Sequence, residues 1–147
     1  MPERWPSIAG RYEGAVHVLP VRVYYEDTDV GGVVYHANYL RYCERARSDC
    51  LRLIGIHQNT FVDMGFVVRR MTCDFLRPAR LDDLLEVETR FLGMGGARLE
   101  LDQQVMREGN TLFKTAVTVV LVDARGRPRR LPDGIAAPLK SLLESQS

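Results

Sequence analysis

Apolar and polar residues recur along this chain with two periods, and the changes of period mark out its elements. Between residues 38 and 54, Tyr39, Leu40, Cys43, Ala46, Cys50, Leu51 and Ile54 follow one another mostly at steps of three and four. Arg41, Glu44, Arg45, Arg47 and Asp49 fall mostly on the rest of the cylinder. That spacing predicts a long amphipathic helix with one buried stripe. Asn38 is a good N-cap, although His36 or Ala37 could equally begin the turn, and Gly55 supplies the stop. Elsewhere the period is two. Residues 15–25 carry Val16, Val18, Val21 and Val23 and favour a strand, with Pro20 arguing for an edge or a bulge. Residues 66–75, 84–92, 97–107 and 112–122 read as further strands. Gly93-Met94-Gly95-Gly96 and Glu108-Gly109-Asn110 serve as turns between them. Shorter helices are expected at 57–64 and 135–143, and residues 1–14, which have no clear period, read as a flexible arm before a single domain of residues 15–147.

One long helix and about five antiparallel strands are therefore expected. The strands are grouped rather than alternated with helices, which favours an α+β fold over a doubly wound one. A single helix covers one face of such a sheet; the other must meet water or another subunit.

Composition narrows the function classes. The 147 residues suit one domain, and 20 basic against 19 acidic residues leave a net charge of +1. So balanced a chain gives no general reason to expect nucleic acid or an anionic membrane as partner. Its longest apolar run, residues 116–122, is too short to span a bilayer, and the N-terminus lacks the apolar stretch of a secretion signal. Cys43, Cys50 and Cys73 cannot all pair and show no Cys-x-x-Cys spacing, so reduced thiols and a cytoplasmic location are expected. His17, His36 and His57 have no metal-ligand spacing, and neither metal nor cofactor is expected.

The candidate chemistry is concentrated at residues 23–47. A β-type run breaks at Asp27-Thr28-Asp29, Gly31-Gly32 makes a turn, and the long helix opens shortly after Val33-Val34-Tyr35. A carboxylate, a glycine turn and a helix N-terminus thus lie within about ten residues. The helix start offers unpaired N–H groups and partial positive charge, which can polarise a carbonyl or bind an anion. A carboxylate beside it can act as base or nucleophile.

The segment Tyr25-x-Asp27-Thr28-Asp29-x-x-Gly32-Val33-Val34-Tyr35-His36-x-Asn38-Tyr39, followed by Glu44-Arg45-Ala46-Arg47, resembles the hotdog-fold acyl-CoA thioesterases. It is most similar to the 4-hydroxybenzoyl-CoA thioesterase branch, and within that to the bacterial enzymes associated with the Tol–Pal system. Phe66-Val67-Val68-Arg69 and Arg77-Pro78-Ala79-Arg80-Leu81-Asp82-Asp83 extend the likeness over residues 21–131. The resemblance implies a five-stranded antiparallel sheet wrapped around one long helix. It also implies a homodimer as minimal unit, usually paired into a homotetramer, with active sites at the subunit interface and acyl-CoA as substrate. By position it makes Asp29 the catalytic carboxylate, as nucleophile or as base for a water, and the backbone N–H of His36 the oxyanion donor. Such donors are typically worth on the order of 3 kcal/mol each.

Gly32 and Tyr35 are the expected substrate contacts, with Phe66 and Val67 of the partner subunit as further walls near Asp29. Asp27 is expected to be structural, orienting the turn or the helix start. Glu44 is the rival carboxylate, since another hotdog branch carries its catalytic acid on the helix, but pairing with Arg41, Arg47 or another cation is the expectation. Cys43 and Cys50 are expected in the core rather than paired with His36 as a nucleophile. Arg125, Arg127, Arg129 and Arg130 form the one dense basic cluster, a solvated turn or a contact for coenzyme A phosphates. Two other readings remain open: a hotdog module that binds an acyl-thioester or a partner protein without cleaving it, and a hotdog hydratase or dehydratase using His36.

Overall fold

In a computed structural model that describes residues 8–57 and 63–145, the two periods become one helix laid across one sheet. The strands are β1 (Arg11–Glu13), β2 (Val16–Arg22), β3 (Met64–Phe75), β4 (Leu84–Gly95), β5 (Arg98–Arg107) and β6 (Asn110–Asp123). They form a single antiparallel sheet in the order β1-β2-β4-β5-β6-β3. Helices α1 (His36–Leu53) and α2 (Asp133–Glu144) complete the chain.

The stripe of α1 buries Tyr39, Tyr42, Cys43, Ala46, Cys50 and Leu51. Its first half packs on Val21, Val23, Leu85, Val87, Val105 and Phe113, and its second on Phe91, Leu99, Leu101, Val117, Val119 and Leu121. Ile135 and Leu139 of α2 close the second cluster. Between the two clusters, Gln103 spans the interior: its Nε2 donates to the Cys43 carbonyl and to Thr89 Oγ1, each at 2.9 Å. Gly55, at φ +89°, ends α1 by allowing the Gly55 and Ile56 N–H groups to turn back onto the Arg52 and Leu51 carbonyls.

The hotdog arrangement of one long helix on an antiparallel sheet is as expected, but the sheet has six strands rather than five. The additional strand, β1, lies within the segment read as an arm; three residues are too few to carry a period. It pairs with β2 only from Val16 to Val18, so β2 is itself an edge from Leu19 onward, where Pro20 sits. The turn expected at 93–96 is shorter: β4 continues to Gly95 and reverses over Gly96-Ala97, with Gly96 at φ +61°. Leu92 is absorbed as a bulge between Phe91 and Gly93, which keeps both Phe91 and Met94 opposite the inward Leu101 and Leu99. The short helix expected at 57–64 falls largely outside the described residues.

Candidate active site

The 23–47 segment folds into a small hairpin laid against the start of α1. A 3-10 turn (Tyr25–Asp27) leads into a tight reversal, in which the Gly32 N–H donates to the Asp29 carbonyl at 3.0 Å and the Asp29 N–H to the Val33 carbonyl at 2.9 Å. Gly32 has φ +78°, a left-handed backbone that glycine adopts without strain. The hairpin is pinned from below: Val34 N–H donates to the Ala79 carbonyl, and Ala79 N–H donates to the buried Tyr39 hydroxyl at 3.0 Å. Burial raises the Tyr39 phenol above its ordinary pKa, and the Ala79 N–H and Arg107 only partly offset this.

The two aspartates of the motif, two residues apart, are used differently. Asp27 is buried; its Oδ2 accepts the Tyr24 N–H and its Oδ1 accepts Asn38 Nδ2, both at 2.8 Å. It joins the turn to the first turn of α1, the structural role expected of it. Asn38 is therefore a clamp inside the helix, and Tyr35 is the N-cap. Asp29 is exposed, and Oδ1 accepts the Gly31 N–H at 2.8 Å and the Val33 N–H at 3.4 Å. Among the described residues Oδ2 has no hydrogen-bond partner. One oxygen is held by the backbone; the other is free to meet a ligand.

Helix α1 starts at His36. Asn38 N–H already bonds back to the Tyr35 carbonyl, so the N–H groups of His36 and Ala37 lie ahead of the helix's own acceptors. No acidic side chain stands in the first turn to neutralise the positive end of the dipole. The rings of Tyr35 and His36 lie 4.4 Å apart, and His36 meets Phe75 edge-on at 6.2 Å. Tyr25, Val30, Tyr35 and Phe75 are exposed around this end of the molecule, an apolar rim of the kind that a ligand or a second chain covers.

Asp29, Gly32, Tyr35 and His36 are thus brought together, whereas Phe66 and Val67 of the same chain are not. Phe66 lies nine residues before Phe75 on β3, about 30 Å along an extended strand. It lines instead a cavity of about 310 Å³ between α1 and the sheet. Its walls are apolar (Leu51, Val68, Phe91, Leu99, Leu101, Val119), with Glu44, Arg47 and Ser48 along the helix side. Val67 points to the opposite face and is exposed. Burial pulls the Arg47 pKa down, with Cys43 and Glu44 acting in the opposite sense. Arg47 Nη1 donates to Gln103 Oε1 at 2.9 Å. Cys43 and Cys50 are buried in the core, as expected, and burial pushes their thiols up to about 12, which disfavours the thiolate a nucleophile needs. Asn38, expected as an N-cap, instead holds Asp27 from inside the helix, and Phe75 carries no sequence signal beyond an aromatic at a strand end.

A sequence profile described as the thioesterase superfamily matches residues 31–114, which include His36 and all of α1. The acyl-CoA thioester hydrolase YbgC of Escherichia coli is 48% identical over 125 residues, covering 82% of this chain and 93% of that protein. A probable thioesterase from Bartonella henselae superposes with a TM-score of 0.77 at 40% identity, covering 80% of this chain and 99% of the other. A thioesterase from Thermus thermophilus, solved with coenzyme A and zinc, superposes with a TM-score of 0.77 at 32% identity, over 90% and 98% of the two chains. No helix among the described residues is long and apolar enough to cross a membrane.

Proposed function

The chain belongs to the thioesterase superfamily, and from that premise we propose that it hydrolyses acyl-CoA thioesters with Asp29 as its catalytic carboxylate. The observation that carries the reading is the pairing of a half-satisfied, exposed Asp29 with an open helix N-terminus at His36. The thioester carbonyl oxygen accepts the His36 and Ala37 N–H groups, where negative charge develops as the carbonyl carbon becomes tetrahedral. Asp29 Oδ2 supplies the electron pair, directly to give a mixed anhydride that water then hydrolyses, or through a water it deprotonates. Collapse breaks the carbon–sulfur bond and releases CoA thiolate. Because a thiol ionises near pH 8.5, that leaving group needs little protonation, so no second acid is required.

The substrate's acyl group lies in the cavity that Phe66 lines, contributed by a second copy. The 30 Å between Phe66 and Phe75 along β3 supports this, because one chain cannot bring its own Phe66 to its own Asp29. β3 is an outer strand of the sheet, with Val67 and Val68 half exposed, and offers an edge for a second copy to extend. The minimal active unit is then a homodimer, which pairs further into a homotetramer. The free thiols of Cys43, Cys50 and Cys73 suit a reducing, cytoplasmic compartment.

A panel of acyl-CoA esters with a thiol-release readout tests the activity; release of CoA from none of them would overturn it. Coexpression tests the shared site. Asp29→Asn and Phe66→Arg, each inactive as a homodimer, should regain part of the wild-type rate when mixed in one dimer, which keeps one intact site. Rates no higher than those of the parents would place the whole site within one chain.

A further inference from the structure

We propose that the groove between β2 and the outer flank of α1 is the subsite for the 3′-phosphorylated ADP end of the substrate's coenzyme A, an inference that rests on the acyl-CoA reading above. The groove has a volume of about 300 Å³ and lies on the opposite flank of α1 from the acyl cavity. Arg45 and Arg52 enter it from the helix and Arg22 from the end of β2. Ile8, Leu19 and Tyr24 give it an apolar and aromatic wall.

Its charge is suited to phosphate. The one carboxylate present, Asp49, is buried and already accepts from Gly10 N–H, His17 and Arg52. Arg22 is aimed by donating to the Asp82 carbonyl at 2.8 Å and retains its remaining donors. Arg45 rests against the Tyr42 ring, 6.0 Å from its centroid, and makes no ion pair among the described residues. Arg52 is spent on Asp49, which leaves Arg22 and Arg45 with no ion pair among the described residues. Two such guanidiniums favour a multiply charged anion, for which arginine has the matching fork of donors. Tyr24, 62% exposed beside them, offers a face for a flat heterocycle.

The groove also lies close in the chain to the proposed reaction site. Tyr24 caps the 3-10 turn that leads into the Asp29 reversal, and its N–H is held by Asp27. Arg45 lies nine residues into α1 from His36, about 14 Å along the axis, a span that a pantetheine arm covers. The other basic clusters are less suited. Arg127 and Arg129 both point at Asp123 Oδ2, at 3.3 and 3.1 Å, and Arg98 is paired with Glu100. Arg70 and Arg98 sit at sheet positions opposite in facing to the inward Leu99 and Val119, on the face away from α1.

The test compares two substrates with the same acyl group, the CoA ester and the N-acetylcysteamine ester, which lacks the nucleotide. In wild type the CoA ester should have the higher kcat/KM, through KM. Arg45→Gln should reduce the ratio of the two kcat/KM values about tenfold, the loss expected for one charge-assisted contact. Arg22→Gln should act in the same direction and Arg45→Lys should recover part of the ratio. Added salt should shrink the wild-type preference. An unchanged ratio in both glutamine variants would overturn the subsite, as would a fall produced instead by Arg125→Gln. Hydrolysis of both esters at equal kcat/KM by wild type would overturn it too. Hydrolysis of neither ester would instead overturn the thioesterase reading itself, so the two failures are distinguishable.

Discussion

At the N-terminal end of α1 stand Asp29 and His36, both exposed; farther along, Asp49 of the same helix meets His17 of β2, both buried. The residue types are the same and their surroundings are not. Asp49 Oδ2 lies 2.6 Å from His17 Nε2 and also accepts Gly10 N–H at 2.9 Å, while Oδ1 accepts Arg52 at 3.0 Å. Tyr12 packs edge-on against His17 and donates to the Cys50 carbonyl at 2.9 Å. Both oxygens of Asp49 are committed, Oδ2 to fastening the β1–β2 hairpin to the helix and Oδ1 to Arg52 on the helix itself. Asp29 keeps one oxygen uncommitted, beside N–H groups that also lack partners. A buried carboxylate whose oxygens are both filled fastens the fold, whereas an exposed one with an oxygen left open is available to a ligand.

Removing the charge at each end in turn separates the two roles. Asp29→Asn keeps the turn's side-chain acceptor and should lower kcat about 10⁴-fold while the thermal midpoint stays within a few degrees. Asp49→Ala should do the reverse. It leaves His17 and the Gly10 N–H buried without their acceptor, a loss of about 3 kcal/mol, or roughly 10 °C in Tm for a chain of this size. The rate per folded molecule should be nearly unchanged. Thiol release and thermal unfolding measured on both variants decide it. Activity lost at Asp49 in a fully folded protein would erase the distinction.

A smaller effect separates the His36 backbone from its side chain. Tyr35 has φ −62° and ψ 135°, the extended conformation required before a proline, and His36 is the first helical residue, where proline is well tolerated. His36→Pro therefore removes the N–H while leaving the helix start in place, and should lower kcat about 10²-fold. His36→Ala, which keeps the N–H, should lower it several-fold at most. Equal losses in the two variants would assign the work to the imidazole.

Why one end was legible in the sequence and the other was not follows from locality. Asp29, the Gly31-Gly32 turn and the helix start are neighbours in the chain, so their juxtaposition could be read directly, as could the α1 stripe and the alternating strands. The His17–Asp49 pair joins residues 32 apart and needs the β1–β2 hairpin folded over α1, which neither residue announces. The same holds for Arg47 on Gln103, 56 residues away, and for the cavity on Phe66, whose walls come from α1, β3, β4, β5 and β6. The three-residue β1 and the bulge at Leu92 were missed for a related reason: cross-strand packing, not local preference, decides them.

The smallest expected effect concerns the acid stability of the buried pair. Burial alone would raise the Asp49 pKa, but hydrogen bonds from His17, Gly10 N–H and Arg52 outweigh it and hold the carboxyl below its ordinary value. A carboxyl whose folded pKa lies below its unfolded value, near 3.9, binds fewer protons when folded. Its stabilisation is therefore complete above about pH 4 and is lost as pH falls through the folded pKa. Asp83, held down in the same sense by the Arg80 N–H and Arg107 against its own desolvation, contributes a parallel loss. Asp123, held down chiefly by the Arg127 N–H, is a third such carboxyl. Asp49→Asn removes one of these three titrating groups, so stability plotted against pH below 4 should fall less steeply than in wild type. Asp29→Asn should leave that slope nearly unaltered. Urea unfolding at a series of acidic pH values measures both slopes, and a steeper acid dependence in Asp49→Asn would contradict a carboxylate stabilised by its buried partners.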